Sequence, residues 1–319
     1  MVNPSLDTAL PVVDGIEDLV GSTPLIRLRL PHISPRTAVF AKLEAANPLS
    51  SIKDRAAWYM LREAEKRGDL PPTGGVIVEA TSGNTGISLA ALAASRGHRC
   101  VVVLPDNATA ERVALLKTLG AQVVQTPAEL RYQGAIDKAV EIHRDTEGSW
   151  FPCQHENRDN VRAHFETTGP EIWGAISSLG GHIDVLVCGV GTGGTLTGVA
   201  GFLKQHQPTM HVVAVEPAGS PVLSGGEAGS HKIPGYNGGF VADTTDTSLI
   251  DQIVTVTDED AAAATRSLAR NAGILAGVSS GAAAHVCGEL SAKPEYADKT
   301  IVTILPDTGE RYLSMWTSS

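Results

Sequence analysis

The sequence predicts an α/β fold with mostly parallel sheets covered by helices on both faces. Three observations carry this. Short apolar, β-branched runs alternate with helix-like segments along most of the chain. Those runs are almost continuously apolar, as in strands buried on both sides. The transitions between them are rich in Gly, Ser and Thr, and the chain holds 33 glycines, which suits many tight strand-to-helix turns.

The elements follow in order. Val76–Ala80 runs into Thr81-Ser82-Gly83-Asn84-Thr85-Gly86 and then a helix over Ile87–Arg96. Arg99–Leu104 leads through Pro105-Asp106-Asn107 to a helix over Ala110–Leu119, and Val123–Thr126 precedes one over Tyr132–Arg144. Val185–Val190 enters Gly191-Thr192-Gly193-Gly194-Thr195 and a helix over Leu196–Gln205, and strands follow at His211–Val215 and Ile301–Leu305. The region 219–246 has no clear period and reads as a long functional loop. At ~100–200 residues per domain, 319 residues make two domains or one large α/β unit, with a boundary near 145–160.

Composition narrows the function. The net charge is −10 and no dense Lys/Arg run exists, which argues against nucleic acid and anionic membranes as partners. Only 4% of residues are aromatic, so Val, Ile, Leu and Ala must fill the core. Cys100, Cys153, Cys188 and Cys287 are widely spaced and read as reduced core thiols of a cytoplasmic protein. The leading segment has no basic n-region, and no run approaches the ~18–20 apolar residues of a membrane span, so neither a signal peptide nor a span is expected. His155, Glu156 and His164 are the nearest approach to a metal set, and no metal is expected. A serine hydrolase is not expected.

Four segments carry chemistry. In Asn47-Pro48-Leu49-Ser50-Ser51-Ile52-Lys53-Asp54-Arg55, Asn-Pro marks a turn, and Ser50 or Ser51 suits the cap of a helix continuing through Ala56–Lys66. Lys53 then lies in the first turn, where the helix dipole disfavours a cation and favours a nucleophilic amine. Alone, the segment also fits a solvated lysine. Residues 81–86 place small hydroxyl residues and glycines at a helix start, which suits a carboxylate or phosphate. Residues 189–195 match G-x-G-x-x-G between strand and helix, and Glu216 ends the following strand where a ribose-binding acid would lie. That leaves two readings open: a dinucleotide site or a cradle for a lone phosphate. Gly277-Val278-Ser279-Ser280-Gly281-Ala282 opens another helix, where a hydroxyl also serves as an ordinary cap.

Together these segments resemble the cysteine synthase (O-acetylserine sulfhydrylase) family of fold-type II, β-replacing pyridoxal 5′-phosphate (PLP) enzymes. The resemblance spans 15–314 and includes GSTPL (21–25), KLE (42–44), NPLSSIKDR (47–55), TSGNTG (81–86), Gln154, TTGPEI (167–172), GTGGT (191–195), SPVLSGG (220–226), HKI (231–233), GILAGVSSGA (273–282) and PDTGERYL (306–313). It implies two three-layer α/β/α domains with PLP in the cleft between them. One covers 45–157; the other covers 158–319 and takes part of 1–44. It implies that Lys53 carries the cofactor as an internal aldimine and moves protons. Gly191, Thr192, Gly193, Gly194 and Thr195 would cradle the phosphate, Asn84 would meet the cofactor's 3′-oxygen, and Ser279 the pyridine nitrogen. Thr81, Ser82, Gly83, Asn84, Thr85 and Gln154 would hold the substrate carboxylate, with Gly235 and Tyr236 also lining the substrate.

The implied reaction is β-replacement on an O-activated L-serine, O-acetyl-L-serine foremost, with sulfide giving L-cysteine through an external aldimine and aminoacrylate. A neutral Ser279 would make the ring a poorer electron sink and favour β-elimination. The resemblance also implies a homodimer and closure of the cleft on the substrate carboxylate.

The chain departs from the family pattern at Gly235-Tyr236-Asn237-Gly238-Gly239-Phe240, where Tyr236 and Asn237 are expected to add bulk and polarity near the nucleophile entrance. It departs again at Asn157-Arg158-Asp159-Asn160, and at His155, where an aromatic is usual. Arg158 could pair with a phosphate or second carboxylate, though a solvated charge is the preferred reading. These changes count against docking of a serine acetyltransferase tail. They keep open another nucleophile (an amine, homocysteine or a hydroxyurea-like compound) or O-phosphoserine as donor. The distant alternative is an NAD(P) oxidoreductase. A haem-dependent cystathionine synthase is disfavoured, since the chain ends soon after Tyr312, and so is a silent binding module, since nothing in the PLP set is missing.

Overall fold

The computed structural model describes residues 12–313; the rest of the leading segment and the end of the resemblance at 314 lie outside them. The chain opens with β1 (Leu25–Arg27) and β2 (Ala38–Leu43). Next come α1 (Lys53–Arg67), β3 (Val76–Ala80), α2 (Asn84–Arg96), β4 (Arg99–Pro105), α3 (Ala110–Thr118), β5 (Gln122–Thr126), α4 (Arg131–Asp145) and β6 (Ser149–Trp150). After α5 (Arg158–Ala163) and α6 (Gly169–Ser178) the alternation resumes with β7 (Val185–Gly189), α7 (Gly194–His206), β8 (His211–Pro217) and β9 (Gln252–Val256). It ends in α8 (Asp258–Ala272), α9 (Val278–Ser291) and β10 (Thr300–Leu305).

The strands form two sheets. The smaller is wholly parallel, in the order β5-β4-β3-β6. The larger runs β1-β2-β10-β7-β8-β9, and only the β1–β2 pair is antiparallel. Successive strand residues point to opposite faces, and both sheets use each face. On the large sheet, Val185, Val187, Val213 and Val215 pack with Leu268, Val286 and Leu290 of α8 and α9. Leu186, Val212 and Ala214 point the other way, against Ile172, Ile176, Val199 and Leu203 of α6 and α7. On the small sheet, Ile77, Val102 and Leu104 meet Met60, Leu61, Leu89 and Leu92 of α1 and α2, while Val78, Val101 and Val103 meet Ala135 and Ala139 of α4. The fold is therefore two three-layer α/β/α units, built from aliphatic side chains.

Two segments break the simple alternation. The segment from α5 to α6 is one interrupted helical stretch, with a π-helical turn at His164–Thr168 before Gly169-Pro170. The expected loop is present: no helix or strand lies between Pro217 and Thr247. Glu216, fully buried at the end of β8, pins its start by accepting from Leu223 N at 2.8 Å, Ser224 N at 3.0 Å and the Ser224 hydroxyl. That carboxylate is occupied by its own chain, which removes the ribose partner that a dinucleotide reading requires.

The helix cap at α1 differs from expectation. Ile52 holds the cap position, and Ser50 adopts left-handed backbone with φ 57°. The Ser51 hydroxyl accepts from Lys53 N at 3.3 Å. Lys53 still begins the helix.

Three of the four cysteines are buried, Cys100 and Cys188 in strands and Cys287 in α9, while Cys153 is partly exposed; all are free thiols. No helix of the described residues is long and apolar enough to cross a membrane, and no group of three or more His, Cys, Asp or Glu among them is placed to hold a metal.

Candidate active site

The carboxyl ends of the parallel strands converge on one cavity, the usual place for a ligand in open α/β sheets. β3 delivers residues 81–86 and the start of α2; β7 delivers 191–195 and the start of α7; β10 delivers Pro306 and Asp307. Lys53, Asn84, Gly191, Thr192, Gly193, Thr195, Gly235, Tyr236 and Ser279 all line it, although they are spread over more than 200 positions of sequence.

Lys53 is placed by the large sheet as much as by its own helix. Ile52 N donates to Pro306 O at 2.8 Å, and Ser51 forms an isolated antiparallel bridge with Asp307. Two residues on, Arg55 is fully buried and held by Glu44 at 2.7 Å and Glu171 at 2.7 Å, with Thr23 and Thr167 as further acceptors. Lys42 joins this network through Glu171 at 2.6 Å. Burial pushes the Lys53 ammonium down to about 8, with the charge of Asp307 pulling weakly the other way. The direction is the one expected from the helix terminus, but loss of hydration is the larger cause.

The glycine loop packs closely against the chain around it. A Cβ at Gly191 would overlap the Gly235 carbonyl oxygen, and Gly193 has φ 78° and lies against Thr245. The loop leads into the N-terminus of a 13-residue helix, where unpaired N–H groups and the dipole favour an anion. Thr192 Oγ1 accepts from Asn160 Nδ2 at 3.1 Å, and Thr195 Oγ1 lies 3.2 Å from His164 Nε2. His164 is buried and held far below its ordinary pKa by burial, so it stays neutral beside that hydroxyl. A phosphate at this loop, an amine in reach across the cavity and the Ser279 hydroxyl lining it fit the functional groups of PLP. Asp307 also leaves one buried carboxylate oxygen unpaired in the cavity wall.

The second loop is polar and reaches the same cavity through Asn84. Thr81 Oγ1 accepts from Gly83 N at 3.1 Å, and Thr85 Oγ1 donates to Gln154 Oε1 at 2.6 Å, so Gln154 is brought to the loop from far along the chain. Arg112 Nη1 donates to Ser82 O at 2.7 Å. Under the loop lies Glu79, buried in β3 and pushed up to about 8 by burial, so it is largely protonated at neutral pH.

The departures behave unlike a polar entrance. Asn237 is buried, with Nδ2 donating to Ser220 O at 3.0 Å and Oδ1 accepting from Ser220 Oγ and Gly239 N, both at 3.1 Å. The expectation that it adds polarity to the entrance is corrected: its polar atoms are consumed in folding the loop. The Tyr236 ring packs into the core of the large unit, and its hydroxyl donates to Ser279 O at 3.2 Å, so its bulk lies mostly beneath the cavity. Arg158 is exposed, and Asp159 pairs with Arg67 at 2.7 Å.

His155 is more informative. Tyr132 Oη donates its single proton to Ala80 O at 2.7 Å, so the His155 Nε2 at 3.2 Å must be the donor to Tyr132. Nδ1 is then a bare acceptor, buried and without a partner. Burial holds this ring down at about 4, and Phe240 packs edge-on against it at 5.1 Å between centroids. Sequence patterning did not assign Asn160, His164, Arg112 or Asp307 to the site, although Asn160 and Asp307 lie in stretches it singled out and His164 in the nearest approach to a metal set.

Residues 16–307 match the family described as "Pyridoxal-phosphate dependent enzyme". A "Probable cysteine synthase" of Bacillus subtilis is 48% identical over 307 residues, covering 96% of this chain and 97% of its own. The crystal structure of an O-ureido-L-serine synthase superposes with a TM-score of 0.91 at 37% identity, covering 97% of this chain and 100% of that one. A cysteine synthase (OASS) of Entamoeba histolytica superposes with a TM-score of 0.90 at 36% identity, covering 98% and 92%. Matching this family over residues 16–307 and these relatives over nearly its whole length, the chain belongs to the pyridoxal-phosphate-dependent enzymes, among the cysteine synthase relatives of fold type II.

Proposed function

We propose that this enzyme makes L-cysteine by replacing the β-substituent of an O-activated L-serine, O-acetyl-L-serine, with sulfide. The carrying observation is that Lys53 lines the same cavity as the glycine loop at the start of α7, with burial pushing its ammonium down to about 8. Lys53 is the catalytic residue, the attachment point of PLP and the base at the substrate Cα. Gly191, Thr192, Gly193, Gly194 and Thr195 hold the phosphate through backbone N–H groups and hydroxyls. Asn84 and Ser279 hold the ring. Thr81, Ser82, Gly83, Thr85 and Gln154, with the N-terminus of α2, bind the substrate carboxylate; Gly235 and Tyr236 wall the far side. When bound, PLP supplies the aldehyde for the substrate amine and a conjugated ring that withdraws electrons from Cα. The protein's part is to keep Lys53 uncharged, present it to Cα once it is released, and exclude water from the reacting carbon.

Cysteine formation should be assayed with O-acetyl-L-serine and O-phospho-L-serine and sulfide. Product from neither donor refutes the proposal, as does the absence of a borohydride-stable adduct on Lys53. A second reading, replacement by an amine- or thiol-bearing nucleophile, is supported by the bare Nδ1 of His155 beside Tyr132 and Phe240. A panel of nucleophiles compared by kcat/KM separates the two, with sulfide far ahead expected for a cysteine synthase.

We also propose domain limits of 45–157 and 158–319 with part of 1–44, the leading strands β1 and β2 being hydrogen-bonded into the large sheet. A homodimer and a cytoplasmic location are proposed with them, the first to be checked by light scattering.

A further inference from the structure

Asp307 is 2% exposed and lines the cavity beside Lys53, Asn84 and Ser279. One of its oxygens, Oδ2, accepts from Asn84 Nδ2 at 2.7 Å and from the Tyr312 hydroxyl. The other has no partner and faces Gly277, where any Cβ would overlap it. Arg311 Nη1 donates to Asn84 Oδ1. A carboxylate and a guanidinium therefore grip opposite ends of one amide. This fixes which end of Asn84 is nitrogen and leaves a single N–H unassigned. Asn84 opens α2 on the small sheet, whereas Asp307, Arg311 and Tyr312 follow β10 on the large one. The grip spans the two halves of the molecule.

The contacts continue outward. The Arg112 guanidinium lies 5.5 Å from the centre of the Tyr312 ring, within cation–π range, and the same side chain donates to Ser82 O at 2.7 Å. A contiguous path thus runs from the proposed substrate-carboxylate loop, through Arg112 and Tyr312, to the carboxylate that holds Asn84.

We infer that Asp307 is a positioning residue: it turns the free N–H of Asn84 toward the cofactor and, through Tyr312 and Arg112, ties that orientation to the Ser82 loop. The inference rests on the assignment of the cavity to PLP and of residues 81–85 to the substrate carboxylate. Without Asp307, Arg311 alone grips the amide, and nothing opposes its swing out of the cavity. Asp307→Asn keeps a carbonyl oxygen for Asn84 and restores the hold; Asp307→Ala removes it.

The test uses the cofactor-loaded enzyme. The rate of cofactor loss on dilution is followed by visible absorbance, and folding is checked by far-UV circular dichroism. Asp307→Ala should lose cofactor about tenfold faster than the parent, the equivalent of one lost hydrogen bond, with Asp307→Asn within about threefold. Tyr312→Phe and Arg112→Met should keep the cofactor but need about fivefold more O-acetyl-L-serine to produce the substrate-induced absorbance change. A parent protein that carries no cofactor at all overturns the PLP assignment itself. A parent that carries it, with Asp307→Ala folded and indistinguishable from it, overturns this inference alone. Should Asp307→Ala not fold, Tyr312→Phe and Arg112→Met decide: an unaltered substrate requirement in both overturns the inference.

Discussion

Replacing Lys53 by Met in the cofactor-free chain should change the pH dependence of stability in a defined way. In the folded chain the ammonium falls from an ordinary 10.5 to about 8, because burial outweighs the pull of Asp307. The unfolded chain therefore binds more protons than the folded one between about 8 and 10.5, so the wild-type protein gains stability as pH rises through that window. Below about 8 both states carry the proton and the cost of burying the charge is complete. At about 1.4 kcal/mol per pH unit, the gap corresponds to about 3 kcal/mol. Lys53→Met never carries the charge, so its stability lead over wild type should be largest at pH 7 and shrink by about that amount by pH 10.5. Urea unfolding of both proteins at half-unit pH intervals measures the difference and cancels every other titrating group. A difference flat to within about 0.5 kcal/mol, or one that grows with pH, refutes the argument that this amine is held uncharged by burial.

Three further outcomes follow from the same geometry. His155 drops from 6.5 to about 4 on burial, so acidification through that window should cost wild type about 3 kcal/mol that His155→Phe does not lose, read from chemical denaturation at pH 7 and pH 4. Arg55→Met strands the fully buried Glu44 without its cation, leaves Glu171 with Lys42 alone, and should lower unfolding stability by about 3–5 kcal/mol, whereas a surface variant such as Arg36→Met should stay within about 0.5 kcal/mol. Gly191→Ala drives a methyl into the Gly235 carbonyl and should abolish cofactor retention while leaving far-UV circular dichroism near that of wild type; cofactor held as tightly as in wild type would refute the close approach of the two loops.

The regular parts of the fold were legible because their signals are local. Val76–Ala80 is a strand over the residues expected, and the helices after it differ by a few terminal residues, since apolar runs ending in glycine and hydroxyl residues announce both the strand and the turn. β1, β2, β6 and β9 were not marked: β1 has three residues and β6 two, and the pattern of the other two is mixed, Lys42 being buried through its pairing with Glu171. The stretch from α5 to α6 hid its helical character behind a π turn and a Gly-Pro pair. Within the site, the glycine loop and Lys53 could be read from the sequence, because each carries its reason in its own neighbours. His164, Asn160 and Asp307 could not. His164 meets Thr195 across 31 positions, and Asp307 meets Asn84 across 223, so their meaning exists only after folding. The polarity assigned to Asn237 failed for the same reason, since its partners lie in Ser220 and Gly239.

The placement of Lys53 explains how two sheets can share one reactive amine. The body of α1 packs on the small sheet through Met60, Leu61 and Ala64. Its first turn belongs to the large one: Ile52 is hydrogen-bonded to Pro306, and Arg55 is locked between Glu44, at the end of β2, and Glu171 on α6. The glycine loop rises from β7 of that same large sheet, two strands from β2. Lys53 and the glycine loop are thus both tied to the large sheet, while the Ser88 hydroxyl of α2 donates to Asp54 Oδ1 at 2.5 Å and ties the same turn to the small one. The loop over residues 81–86 leaves β3 on the small sheet and meets the large one through the Asn84–Asp307 contact. The amine therefore stands where the two sheets are joined from both sides, by Ile52 and the Arg55 ion network to one and by Asp54 to the other.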